Sequence, residues 1–220
     1  VLRALLLLAL LIGVAGFWGP WVDHKAVALI LIGQDMGEFV KFLPEVRDGT
    51  VPIVRQLFYL PPFCACLIFA LLSTGGAWAY GRGLRALFLV AIVPLSLALL
   101  PPAFSLPSVQ SPEFRIQAGG VLICWASIPG SFALRRMPPP LRSASVAVLG
   151  LAASIPTLWQ FLLALPLIAD LYRRPPQIGW GLAATVSGFL LVAVLASLVT
   201  LQTGLRRLPL RRTPAPLPRH

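Results

Sequence analysis

Charge is what this sequence has least of. Only 11% of its 220 residues are Asp, Glu, Lys or Arg, where a soluble globular domain carries about 25% to wet its surface. That excludes an ordinary water-soluble globule. Acid is scarcer than base: seven Asp and Glu stand against eighteen Lys and Arg, for a formal charge of +11. There are two histidines and three cysteines. One internal histidine, His24, is too few for the usual zinc ligand set, and histidines to ligate haem within the apolar runs are lacking. Cys64, Cys66 and Cys124 are too few for a disulfide framework, and each lies in an apolar run, where a thiol behaves as a small hydrophobe. No Walker loop and no His-Glu-x-x-His occurs, so a nucleotide-driven pump would need a separate ATPase chain. No internal repeat is visible. No cofactor is expected.

The second shortage is positional. From Leu57 to Leu201 no ionisable residue falls in the middle of an apolar run. Asp170 comes nearest, and it sits beside Tyr172 and Arg173 at an end. Proton or sodium coupling usually needs an ionisable group inside the membrane, so a proton-coupled carrier is disfavoured.

What is present is apolar surface: 58% of the chain is hydrophobic, with a mean hydropathy of +0.86. Six stretches approach the ~20 apolar residues that a spanning helix needs. They run over 2–18, 57–80, 84–104, 116–134, 145–171 and 178–201. The fold expected is all-α, a polytopic transmembrane bundle of about six spans. It covers residues 1–204 and includes an outer loop, 19–56. A basic, proline-rich cytoplasmic tail follows over 205–220. The first stretch has signal-peptide features (Arg3, an apolar centre, Gly13-Val14-Ala15) and is read as a retained anchor.

Positive residues set orientation. With six spans, eleven of the eighteen basic residues fall on the side of the termini and seven on the other. Both ends are therefore expected in the cytoplasm of a bacterial inner (plasma) membrane; Arg173 and Arg174 dissent. The basic residues form no stripe interleaved with exposed aromatics, so nucleic acid is not an expected partner.

Prolines recur in the runs, at Pro94, Pro101, Pro129, Pro156 and Pro166. Each removes a backbone bond and kinks a helix, and Ser96, Ser127, Ser154 and Thr157 are near enough to satisfy freed carbonyls. Pro138-Pro139-Pro140 argues against a helix in the loop from Arg135 to Arg142. The pairs Ala9/Gly13, Gly150/Ser154 and Ala184/Gly188 fit the small-xxx-small pattern of close helix contacts.

The outer loop holds five of the seven acids. It opens on Phe17-Trp18-Gly19-Pro20-Trp21, where Trp favours the headgroup level. Residues 26–32 read as a short strand. Residues 35–43 read as an interfacial amphipathic helix, capped by Asp35 with Glu38 three residues on. Met36, Phe39, Val40 and Leu43 share its apolar face, and Pro44 should bend or end it. Asp23, His24, Asp35, Glu38 and Glu45 offer acid–base or ligand chemistry, but capping and solvation explain them more simply. No catalytic or metal site is assigned.

A non-catalytic accessory or scaffolding subunit is therefore expected, with the lipid bilayer and a membrane protein as partners. The docking surfaces expected are Trp18, Trp21, Phe39, Lys41 and Phe42 in the loop and Arg206, Arg207, Arg211 and Arg212 in the tail. Gln160 is the most notable intramembrane polar residue, expected to bond between helices or to touch a ligand. The alternative is the membrane half of a transporter.

Overall fold

The computed structural model describes residues 1–24, 29–75, 78, 80–101, 104, 105, 107 and 111–205. Of these, 78% are helical. The chain begins with helix α1 (Leu2–Phe17), then strands β1 (Pro20–His24) and β2 (Leu29–Ile32). Helix α2 (Gly33–Phe39) follows, continued by a 3-10 turn over Val40–Phe42, and then a short α3 (Pro44–Arg47). A second 3-10 turn, Arg55–Tyr59, runs into α4 (Leu60–Ser73). The remaining elements are α5 (Arg82–Leu97), α6 (Pro112–Leu134), α7 (Pro139–Tyr172), β3 (Gln177–Ile178) and α8 (Trp180–Leu205).

Four helical segments are long and apolar enough to cross a membrane: Arg55–Ser73, Phe114–Leu134, Pro139–Tyr172 and Trp180–Gln202. Helices α1 and α5 have 16 residues each, about 24 Å at ~1.5 Å per residue. Helix α8 packs against both α1 and α7, and α4 joins that group to α5 and α6. The segment Arg55–Ser73 is the centre of the bundle, with 72% of its apolar window buried; for α6 the figure is 22%.

Glycine lets α8 approach its neighbours. A Cβ on Gly188 would lie 2.6 Å from the Gly13 Cα and 2.7 Å from the Ala9 oxygen. A Cβ on Gly150 would lie 2.8 Å from the Phe189 oxygen. The small residues marked out in the sequence thus meet one another inside this chain: Ala9 and Gly13 with Gly188, and Gly150 with the next turns of α8.

The wholly helical expectation needs one addition. A three-stranded antiparallel sheet, in the order β2-β1-β3, closes one end of the bundle. Pro20 pairs with Ile32, Val22 with Leu31 and also with Ile178, and a bulge falls between Pro20 and Val22. The strand expected over 26–32 is found over 29–32, and residues 26–28 lie outside the described residues. Strand β1 was hidden because Trp21 read as an interface anchor.

Other local readings change as well. Helix α2 begins at Gly33, and no side chain caps it. Asp35 therefore lies inside the first turn, where a carboxylate suits the helix dipole; it is not the cap. Pro44 opens α3 after an extended Leu43, as a residue before proline prefers. Pro139 and Pro140 likewise occupy the first turn of α7, where a missing N–H costs nothing. The expectation of no helix there is overturned.

The span prolines Pro94, Pro129, Pro156 and Pro166 sit within helices; Pro101 lies beyond the end of α5. Two nearby hydroxyls serve a carbonyl next to a freed one, Ser127 donating to the Cys124 oxygen (2.6 Å) and Ser154 to the Leu151 oxygen (3.3 Å), whereas Ser96 donates to the Val93 oxygen (2.8 Å), away from the one that Pro94 frees.

Acid is sorted by end. The sheet end carries Asp23, Asp35, Glu38, Glu45, Asp48, Glu113 and Asp170, which is every acid in the sequence, interspersed with basic residues that include Lys41, Arg47, Arg55, Arg115, Arg173 and Arg174. The opposite end, where α1, α5 and α7 start and α4 and α6 stop, carries Arg3, Arg82, Arg85, Arg135, Arg136 and Arg142.

Candidate functional site

Three polar arrangements stand out against the apolar bundle. The first is the cap at the acidic end. Lys41 Nζ pairs with Glu38 Oε2 at 2.6 Å, and Arg55 Nη1 lies 3.5 Å from Glu38 Oε1. The Tyr59 hydroxyl donates to the same carboxylate oxygen at 3.4 Å. Gly37 makes this possible, since a Cβ there would meet the Tyr59 ring at 2.6 Å. Glu38 therefore fastens α2 to the start of α4 and does not reach back to cap its own helix.

Below this cap, α7 holds the descending chain. Gln160 Oε1 accepts the Val54 N–H at 2.8 Å, and the Thr157 hydroxyl donates to the Leu57 oxygen at 3.0 Å. Gln160 is 5% exposed. The partner of Oε1 is backbone from the loop end, 106 residues away in sequence.

The second arrangement lies at the basic end. Arg142 is buried, although the sequence placed it in a loop. Its Nη1 donates to Thr74 Oγ1 and to the Gly75 oxygen, both at 2.7 Å. Its Nη2 donates to the Met137 oxygen at 2.8 Å. A guanidinium thus covers the C-terminal carbonyl end of α4, where a cation meets the negative end of the helix dipole. Nearby, the Tyr80 hydroxyl donates to the Arg3 oxygen at 2.8 Å, and burial pushes its pKa up to about 12.

The third is a cavity of about 330 Å³ between α4, the end of α5 and the first turns of α6. Its walls are largely apolar, with Leu57, Leu60, Phe63, Leu99 and Ile123 among them. Gln117 lines it while only 4% exposed, and neither atom of its amide has a hydrogen-bond partner. Arg115 stands at its edge, and Gly119 and Gly120 also line it. Nothing in the apolar pattern of the sequence singles out Gln117. The available signal was an amide two residues ahead of a Gly-Gly pair at the start of a helix.

The expected docking residues separate. Trp21 is fully buried; its Nε1 donates to the Gly16 oxygen at 3.1 Å, and its ring packs on Phe17, Phe58 and Phe161. It is a core residue, so the docking expectation fails for it. Phe39 packs half-buried against the core, and Lys41 is paired with Glu38. Trp18 is 42% exposed, Phe42 70% and Trp180 62%, which makes an aromatic rim at the acidic end. Arg206, Arg207, Arg211 and Arg212 lie outside the described residues.

Among the described residues, no three His, Cys, Asp or Glu side chains gather as metal ligands would. The residues that line this cavity do not include Pro129, Pro156 or Gln160. The chain matches no family model, no curated protein and no solved structure.

Proposed function

We propose that this chain is a non-catalytic integral membrane protein of about six spans, an accessory or scaffolding subunit that packs against partner helices and lipid. One observation carries the reading. The polar side chains on α7 are engaged by the chain's own backbone: Gln160 with Val54, Thr157 with Leu57, and Arg142 with Gly75 and Met137. Polarity used in this way holds a shape. A catalytic or carrier site keeps such groups converging on open space.

Six spans require α1 and α5 to cross as well. Each falls about 6 Å short of a ~30 Å hydrocarbon core, a mismatch that local thinning and flanking residues absorb. Three consecutive i→i−3 hydrogen bonds, donated by Ala98, Leu99 and Leu100, carry α5 on by about one turn. Positive-inside logic puts the basic end, and with it both termini, in the cytoplasm of a bacterial inner membrane. Trp18, Phe42 and Trp180 then sit at the outer headgroup level, with α2 lying along that interface. The tail arginines Arg206, Arg207, Arg211 and Arg212 meet anionic headgroups or a partner's acidic surface.

Extraction in mild detergent after in-membrane cross-linking, followed by native mass analysis, tests this. A stoichiometric complex with a second membrane protein is expected. A monodisperse chain with no protein partner before and after cross-linking would overturn it.

A further inference from the structure

We infer that the cavity between α4, α5 and α6 is a binding site for one acyl chain of an anionic phospholipid, with the phosphate held at Arg115 and the glycerol-ester region at Gln117. The inference rests on the helices crossing a bilayer but not on the chain having a protein partner.

Four observations carry it. First, the cavity opens sideways. Ile116 and Ile123, on its α6 wall, are exposed, and α6 is the least buried of the four long apolar segments. What reaches such an opening from the side is lipid. Second, a buried amide with no partner costs free energy unless something pairs with it. Gln117 is such an amide: neither its nitrogen nor its oxygen has a partner within the protein, and the two N–H groups suit ester and phosphate oxygens as the oxygen suits a headgroup hydroxyl. Third, Arg115 sits two residues earlier and also lines the cavity, and the ion pairs seen among the described residues lie elsewhere, on Glu38. A cation beside an amide above an apolar hole is complementary to an anionic headgroup above an acyl chain.

The fourth is the behaviour of the glycines. Glycine weakens a helix relative to alanine, and in a close helix contact that cost is offset by packing. At Gly13, Gly150 and Gly188 a Cβ would meet backbone or ring atoms at 3.0 Å or less. At Gly119 it would meet nothing within 4 Å, and at Gly120 only Leu99 Cδ1 at 3.5 Å and Phe63 Cδ2 at 3.9 Å. These two glycines bring no helix closer. They leave the α6 wall bare beside the cavity. The volume, about 330 Å³, holds about ten groups of the size of a liquid water, ~30 Å³ each. That suits most of a single acyl chain and is too small for two.

The test uses the full chain in nanodiscs or mild detergent, with native mass spectrometry against equimolar phosphatidylglycerol and phosphatidylcholine of matched acyl chains. One tightly retained phosphatidylglycerol is expected, favoured about fivefold, the effect of one basic residue at a charged headgroup. Arg115→Ala should remove the headgroup preference while leaving some retention. Gly120→Phe should remove the retained lipid by filling the hole. Gly120→Ala, whose Cβ fits, should keep it and serves as the folding control. As a readout independent of Gly120→Phe folding, a phosphatidylglycerol with a photoreactive acyl chain should cross-link to peptides containing Phe63, Leu99 or Ile123. Retention that ignores both headgroup and the Gly120→Phe change, or cross-links spread evenly over all the helices, would overturn the site and leave only annular lipid. Either result leaves the scaffolding proposal to its own test, the search for a protein partner.

Discussion

Gln160 Oε1 accepts the Val54 N–H at 2.8 Å, joining the interior of α7 to the strand of chain that leads into α4. Thr157, one turn earlier on the same face, donates to the Leu57 oxygen. Together they fix the depth at which the loop enters the bundle. Gln160→Leu leaves the Val54 N–H without its acceptor. A loss of about 0.5–1.5 kcal/mol is expected, read as a lower unfolding midpoint in detergent and faster proteolysis within residues 50–54. With Thr157→Val added, the two losses should combine non-additively, because they hold one segment. Wild-type stability and protection in Gln160→Leu would show that the contact carries nothing.

Arg142 makes a second prediction. Removing the guanidinium leaves the Thr74 hydroxyl and the Gly75 and Met137 carbonyls without their charged donor. Arg142→Met should cost about 1.5–3 kcal/mol, the range for hydrogen bonds to charged groups. Arg142→Lys should recover only part, since an ammonium lacks the planar fork that serves three acceptors from two nitrogens. Thermal unfolding of the three proteins, ranked side by side, checks the order.

Glycines predict opposite outcomes at two places. Gly188→Ala puts a methyl against the backbone of α1 and should destabilise by about 1–3 kcal/mol. Gly119→Ala meets nothing and should be neutral or stabilise by up to about 1 kcal/mol through helix propensity. The pair, measured by chemical denaturation in one detergent, compares like with like. Equal effects at both sites would contradict the close α1–α8 contact.

Glu38 predicts a change confined to the cap. Glu38→Gln removes the charge shared by Lys41, Arg55 and Tyr59. The pair with Lys41 is partly exposed and contributes little by itself, about 0–1 kcal/mol. The expected result is faster hydrogen exchange in α2 and in residues 40–43, with α7 and α8 unchanged. Exchange that accelerates throughout the bundle would mean the cap is part of the core.

Much of this architecture is legible along the chain because apolar runs are local. All six runs proved to contain helices, and the paired small residues marked real close contacts. Gln160 stood out as a polar residue in an apolar run, but its partner Val54 is set by how the loop folds back, which no local pattern encodes. Trp21 looked like an interface anchor because it follows Trp18. The turn at Gly19 and the pairing of β1 with two strands swing it inward instead. Arg142 looked like a loop residue because three prolines precede it, yet prolines start helices as readily as they break them. Gln117 went unnoticed because one amide in a span usually means a helix contact; only the cavity beside it marks it out.

The central claim is that the acidic end and the basic end lie on opposite sides of a membrane. Site-directed cysteine labelling tests it most directly. In a background with Cys64, Cys66 and Cys124 replaced, single cysteines are introduced as Asp48→Cys at the acidic end and Arg136→Cys at the basic end, both exposed positions. Intact cells are treated with a membrane-impermeant maleimide. The account predicts that Asp48→Cys reacts in intact cells and that Arg136→Cys reacts only after lysis. Reaction of both from the same side, or release of the chain from membranes by alkaline carbonate, would contradict it.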